Sequence, residues 1–236
     1  MLPWVQLGTA IVPGGGGELR LMQRGSEFVI MAGRIPLMNS RMSGSEEALA
    51  NLSWERVATR QAPRLLVGGL GMGFTLGALL ASATPGARID LVEIVPEILE
   101  WARGPLAPIV KGSLDDPRVE IRTADVAAVI GANRSSWDAI LLDVDNGPDG
   151  LSRPGNDRLY SAAGLGAAKA ALRPGGVLAV WSTAPDAGFT RRLVSAGFKV
   201  EEKSVRERSN GKGARHTIWL ASAREAREPN HFRVGQ

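Results

Sequence analysis

The sequence predicts a doubly wound α/β fold with a mainly parallel seven-stranded sheet, and three observations lead to it. Apolar strand-like runs alternate with helical stretches from residue 43 onward, the pattern of strand–helix–strand units joined by right-handed crossovers. A glycine-rich turn, Gly68-Gly69-Leu70-Gly71-Met72-Gly73, links the first of these strands to a helix. The last two strand-like runs, FKVEEKSV and HTIWLASA, are joined through a SNGKG turn, so the final strand is expected to be antiparallel.

The elements follow in order. Residues 1–42 carry two strand-like runs, LRLMQR and EFVIMAG, and a glycine run at 14–17; together they predict a small N-terminal β-hairpin module. SGSEEALANLSWERVATR predicts a helix opened by Ser43 or Ser45, with acids in its first turn. Strand RLLVGGL, helix FTLGALLAS, strand RIDLVEI and helix PEILEWARGP come next, with Pro96 suited to the first helical position. Strand RVEIRTA, a short helix near VAAVI and strand WDAILLDV precede the helical stretch DRLYSAAGLGAAKAAL. A PGG turn, strand VLAVWST, helix PDAGFTRRLVSAG and the closing hairpin complete a nucleoside-binding domain expected to span 43–222, followed by a basic tail at 223–236.

Composition narrows the classes. The length of 236 residues suits one α/β domain with a small appendage, and 44% apolar with 22% charged residues is ordinary for a globular protein. No apolar run reaches the roughly 18–20 residues needed to cross a bilayer, and the N-terminus lacks the basic region and apolar segment of a signal peptide. The expected location is cytoplasmic, without a membrane partner. The absence of cysteine excludes disulfides, thiolate catalysis and cysteine–metal sites. The two histidines, His216 and His231, lie far along the chain from any acidic cluster, so no metal is expected. The net charge of +4 is concentrated in Lys203, Arg206, Arg208, Lys212, Arg215, Arg224, Arg227 and Arg233. Glu201, Glu202, Glu207, Glu225 and Glu228 interleave them, a pattern of a solvated hairpin and tail rather than of a nucleic-acid surface.

The chemistry centres on the glycine turn. Without side chains there, a ligand can approach the backbone, and the N–H groups and positive dipole end of the following helix suit an anionic group. Glu93, ending the next strand, falls where a carboxylate can accept both hydroxyls of a ribose. The dinucleotide fingerprint is not met: the sixth position is Phe74 counting from Gly69 and Leu76 counting from Gly71. Gly69-Leu70-Gly71-Met72-Gly73 instead resembles the turn of class I S-adenosylmethionine-dependent transferases, which have a Rossmann-like methyltransferase sheet. That resemblance assigns Gly68, Gly69, Gly71, Gly73, Glu93, Asp125 and Asp143 to S-adenosylmethionine binding, with Asp125 against the adenine amino group and Asp143 beside the sulfonium. The run Leu172–Ser182, LRPGGVLAVWS, resembles the same family's fifth-strand signature. All three acids fall at C-terminal ends of strands, the edge where open parallel sheets bind ligands.

The flanks resemble one branch of that superfamily, the spermidine synthases, through LRLMQRGSEFVI, GSEEALA and LLDVDNGPDGL. The resemblance implies an N-terminal β-module, a loop closing over the substrates after the fourth strand, and a homodimer. Gln23 and Glu27, with Phe28 after it, lie near where those enzymes read Gln and Asp-Glu-Phe; Asp143 matches the first acid of their Asp-x-x-Asp-Pro loop. Two departures stand out. Asn146 replaces the loop's second acid, with Pro148 further on, and Gly71 replaces the acid of their Gly-Gly-Gly-Asp-Gly-Gly turn. Decarboxylated S-adenosylmethionine presents an ammonium without the carboxylate of the parent molecule. An acid in the turn would hold that ammonium and repel a carboxylate, whereas a bare glycine beside a helix N-terminus suits the carboxylate.

The leading expectation is therefore methyl transfer from intact S-adenosylmethionine to an amine or other small molecule. Asp143 is the catalytic candidate, orienting the nucleophile or taking its proton. The alternatives are aminopropyl transfer from decarboxylated S-adenosylmethionine, as in polyamine synthesis, and a non-catalytic nucleoside-binding module. Gln23, Glu46, Asp145, Asn146, Asp149 and Tyr160 are the substrate-binding candidates. Tyr160 is also read as a packing residue, and Trp181 as pointing toward the ligand edge; the resemblance implies that Met38-Asn39-Ser40-Arg41 faces the cleft, with Asn156 as a further cleft neighbour.

Overall fold

The computed structural model describes residues 2–144, 147–148, 157–208 and 210–223. Its first part is a four-stranded antiparallel sheet in the order β1-β2-β3-β4, made of β1 (Val5–Ile11), β2 (Glu18–Arg24), β3 (Glu27–Ala32) and β4 (Ile35–Asn39). The expected hairpin corresponds to β2 and β3, and each gains an outer partner. β1 and β4 escape sequence reading for physical reasons. In β1 the apolar Val5, Leu7 and Ile11 face solvent and Ala10 is the buried residue, so the strand lacks a recognisable buried apolar face, and Pro36 interrupts β4.

Helix α1 (Gly44–Val57) leads to β5 (Arg64–Gly68), α2 (Phe74–Ser82), β6 (Arg88–Glu93) and α3 (Pro96–Arg103). After the short α4 (Ala107–Val110) come β7 (Val119–Thr123), α5 (Val126–Gly131) and β8 (Trp137–Leu142). Helices α6 (Asp157–Tyr160) and α7 (Ala162–Ala171), strand β9 (Leu172–Ser182), helix α8 (Ala187–Ser195) and strands β10 (Phe198–Arg206) and β11 (Arg215–Ala223) close the chain. The seven-stranded sheet runs β10-β11-β9-β8-β5-β6-β7, with β11 antiparallel to both neighbours, as the sequence predicts.

Side-chain alternation along the strands divides the core. Leu65 and Val67 of β5 enter one layer with Leu49, Val57, Leu76 and Leu79 of α1 and α2, whereas Leu66 enters the other with Ile130, Leu165 and Ala168. Leu21, Phe28 and Ile30 of the small sheet join the first layer together with Ile98 and Trp101 of α3. Burial of each such side chain contributes about 1.5–3 kcal/mol, which fixes the small sheet against the edge of the large one.

The strand order sets the site. β5 is central and runs parallel to β6 on one side and β8 on the other, so crossovers leave it in opposite directions and a crevice opens beyond its C-terminal end. The ladder continues into the turn on both sides: Gly69 N–H donates to Val92 O at 2.9 Å and Asp143 N–H to Gly68 O at 3.0 Å. The glycine turn therefore emerges between Glu93 and Asp143.

Candidate functional site

A cavity of about 140 Å³ occupies this crevice. Gly69 and Gly71 form its floor, Glu93 and Asp143 its two sides, Asp125 its rim and Glu46 its α1 wall. Ile94, Val95, Ile98 and Val126 give it an apolar slot, and Leu37 and Met38 of β4 and Trp181 of β9 line it from the small sheet and the large one. Among the described residues, the lining holds four acids and no Lys, Arg or His.

Each side chain is held by a specific interaction. The buried Glu93 carboxylate accepts from Leu70 N–H at 2.8 Å and Val95 N–H at 2.9 Å, tying the glycine turn to the end of β6. Asp125 caps α5 by accepting from Ala127 N–H at 2.8 Å, and Arg158 approaches it at 3.8 Å. Thr75 donates to Asp143 Oδ2 at 2.6 Å. Ser45 donates to Glu46 Oε2 at 2.6 Å. Burial raises the carboxyls of both acids, Asp143 to about 6 and Glu46 to about 8, with the Asp143 charge adding to the rise of Glu46. Two carboxyls in one dry pocket resist ionising together.

Several predicted site residues lie elsewhere. Gly68 and Gly73 do not line the cavity; a Cβ on Gly68 would meet Val126 Cγ2 at 2.9 Å, and one on Gly73 would meet Val110 Cγ2 at 3.3 Å. Both serve packing. Gln23 is a partly exposed strand residue whose amide donates to Gly25 O at 2.9 Å. Tyr160 is buried in the second core layer, edge-on to Phe189 at 5.5 Å, which agrees with its packing reading and removes it from the cavity. Asp145, Asn146, Asp149 and Asn156 lie outside the described residues. Glu27 is also absent from the lining. It accepts from Asn39 Nδ2 at 2.9 Å and from Arg24 at 3.0 Å, with Arg41 at 3.4 Å. The Asn39 hydrogen bond, followed by that of Arg24, holds its carboxyl below the usual range. This cluster ties β3 to the end of β4, which presents Met38, and to Arg41 just after it.

Met38 faces the cleft as the resemblance implies, and its thioether has a further role there that the sequence does not declare. Its sulfur accepts from Met72 N–H at 3.0 Å, and a Cβ on Gly71 would sit 2.8 Å from its Sδ and Cε. The thioether fills the space above Gly71. The two cavity glycines consequently differ. Gly69 has φ +88°, and a Cβ there would run into the backbone carbonyl of Asp143; Gly71 has φ +53° and faces only the flexible tip of Met38. Gly69→Ala is expected to cost about 2 kcal/mol more stability than Gly71→Ala in denaturant unfolding. Equal losses would show that the Met38 tip is as unyielding as the backbone.

No protein-family profile matches the chain. Curated relatives do. The polyamine aminopropyltransferase 2 of Pseudomonas aeruginosa is 34% identical over 120 residues, covering 49% of this chain and 32% of that protein. The polyamine aminopropyltransferase of Corynebacterium efficiens is 37% identical over 132 residues, covering 52% and 24%. The chain thus matches a third or less of the length of these relatives. The spermidine synthase of Thermotoga maritima superposes with a TM-score of 0.73 at 20% identity, over 94% of this chain and 74% of that one. The chain has a spermidine synthase-like fold.

Within that fold the expectation of methyl transfer is corrected. The matching relatives are aminopropyltransferases by name, and the local geometry explains how the reading of Gly71 went astray. It set a carboxylate against a bare Gly71 beside the N-terminus of α2, but the Met38 thioether fills the space above Gly71. Glu93 engages the N–H of Leu70, Met38 that of Met72, and Leu70 O that of Gly73 at 2.8 Å. It also looked for an ammonium-binding acid only in the turn itself. In this spermidine synthase-like fold Glu46 and Asp143, distant in sequence, line the same cavity.

Proposed function

We propose that this protein is an aminopropyltransferase, moving the aminopropyl group of decarboxylated S-adenosylmethionine to an amine acceptor of the putrescine class. The observation that carries the proposal is the charge of the cavity: four acids and, among the described residues, no cationic side chain. A sulfonium and an ammonium find partners there, whereas the carboxylate of intact S-adenosylmethionine finds none. The donor set suits the nucleoside. Glu93 stands at the strand end for the ribose, Asp125 at the rim for the adenine amino group, and Ile94, Val95, Ile98 and Val126 form a slot of the kind a flat base needs.

When bound, decarboxylated S-adenosylmethionine would supply a sulfonium-activated carbon for attack by the acceptor nitrogen. The protein's part is positioning and charge. Asp143, pinned by Thr75, orients the amine and accepts its proton; Glu46 shares the negative charge with it. Leu37, Met38 and Trp181 keep the cleft dry, which strengthens each of these interactions. In this reading residues 1–42 form the module, 43–222 the catalytic domain and 223–236 the tail, and the enzyme acts as a cytoplasmic homodimer. Among the described residues, no helix is long and apolar enough to cross a membrane.

Calorimetric titration with both forms of the cofactor tests the proposal, together with product formation from putrescine and longer amines. The decarboxylated form is expected to bind at least about tenfold more tightly, or about 1.4 kcal/mol, and to yield an aminopropylated product. Tighter binding of the intact form, or no product at high enzyme concentration, would overturn the reading.

A further inference from the structure

The proposed reaction leaves a proton to dispose of. As the acceptor nitrogen forms its bond to carbon, the carbon–sulfur bond breaks, its electron pair neutralises the sulfonium, and the nitrogen carries an extra proton. Apolar side chains line part of the cavity that receives this proton, and a set of hydrogen-bonding groups leads from its Glu46 wall toward the surface. Ser45, fully buried in the first turn of α1, donates to Glu46 at 2.6 Å, and its Oγ lies 2.9 Å from His216 Nδ1. His216 is half-buried at the start of β11. Its ring stands edge-on to Trp181 at 4.8 Å. On the inner side, Thr75 bonds Asp143 at 2.6 Å and reaches the backbone carbonyl of Glu46 at 3.4 Å, so the two acids are located by one residue.

We propose that Ser45 and His216 form the proton exit of the Glu46–Asp143 pair. The inference rests on the aminopropyl-transfer reading for the origin of the proton. The nitrogen's proton passes to the acid pair. Once Glu46 is protonated, the Ser45 hydroxyl turns its hydrogen from Glu46 toward His216 Nδ1; the Glu46 proton then moves to Ser45 Oγ as the serine hydrogen moves to Nδ1, and the imidazolium releases its Nε2 proton to water. One proton enters and one leaves; Glu46 and Ser45 regain their starting states, and His216, left as its Nδ1–H tautomer, regains the Nε2–H form by tautomer exchange before the next transfer. The environment of His216 suits a relay rather than a store. Burial lowers its affinity for a proton, while Glu207, whose carbonyl accepts from Gly44 N–H at 2.9 Å, partly opposes that effect. Val205 is its partner across the β10–β11 ladder, Arg215 precedes it on β11, and α1 presents Glu46 to it through Ser45. Ser45 and His216 are positioning residues here, since neither lines the cavity.

The test combines kinetics with a measurement independent of turnover. Ser45→Ala removes the middle of the path, and His216→Gln keeps a hydrogen-bonding amide that cannot carry a proton. Both are expected to lower kcat about tenfold, with KM for the amine changed less than about twofold. Added imidazole is expected to restore His216→Gly. Wild-type kcat in both variants would overturn the proposal. His216 and His231 are the only histidines, so the ring nitrogens of His216 can be followed by NMR through a pH titration. Their shifts are expected to report the ionisation of Glu46 and to lose that response in Glu46→Gln; no response in the wild type would refute the path. If the wild-type chain makes no product from any amine, the aminopropyl reading fails, and the NMR response alone decides whether the Glu46–Ser45–His216 path stands or falls.

Discussion

Asp143→Asn is expected to lower kcat by about 10²–10⁴-fold while leaving the cavity in place, because the amide oxygen can still accept from Thr75. The pH dependence separates loss of a base from loss of shape. In the wild type, activity is expected to rise with pH through the ionisation of Asp143 near 6. In the variant Glu46 is the remaining acid beside the amine. It loses the neighbouring negative charge that contributes to holding its carboxyl near 8, so the residual activity should rise over a range below 8. Stability moves the other way. The carboxyls of Asp143 and Glu46 lie above their ordinary values of 3.8 and 4.5, so the folded state takes up protons there. The associated stability is complete below about pH 4 and is lost as pH rises through about 6 and 8. Asp143→Asn removes one ionising group from that process. It should match the wild type near pH 4 and exceed it by about 1–3 kcal/mol at pH 8. A variant that is less active and also less stable at pH 8 would mean that Asp143 holds the fold rather than the substrate.

Residues at the ends of parallel strands can be read from sequence because the topology places them. Glu93 ends one buried, mostly apolar strand and Asp143 follows another, and a chain that alternates strand and helix has one edge at which such acids meet. The seven-stranded sheet was legible for the same reason. What brings Glu46 to that edge is the packing of α1 over α2 and β9, a tertiary fact with no periodic signal. Met38 shows the limit more sharply. Its thioether takes the space and the N–H group that a reading of the turn alone assigns to a ligand. The predicted helix at DRLYSAAGLGAAKAAL divides because Ser161 accepts from Gly164 N–H at 3.1 Å and starts a new helix there. Its signal was present as a serine three residues before a glycine, but a helical run of alanines conceals it.

The largest expected loss of stability lies at the opposite edge of the sheet, where the strands begin. Asp138 is 2% exposed and accepts from Arg60 at 2.6 Å, Arg64 N–H at 2.7 Å and Arg173 at 2.8 Å. Arg64 then reaches Asp90, also 2% exposed, with bonds of 2.9 and 3.1 Å, and Trp137 donates its indole N–H to the same carboxylate. Three central strands, β5, β6 and β8, are thus joined by two buried acids. Asp138→Ala leaves the Arg64 N–H without its acceptor and two guanidinium groups without their shared anion. The arginines are partly exposed and can recover water, so the loss is expected near 3 kcal/mol, at the lower end for a broken buried pair. For a chain of this length that corresponds to about 6–12 °C in Tm. Asp138→Asn retains an acceptor for Arg64 N–H and should lose less. Because this cluster lies across the sheet from the cavity, cofactor affinity well below Tm should be unchanged in both variants. A matching loss of cofactor affinity would show that the start of β8 controls the position of Asp143 at its end.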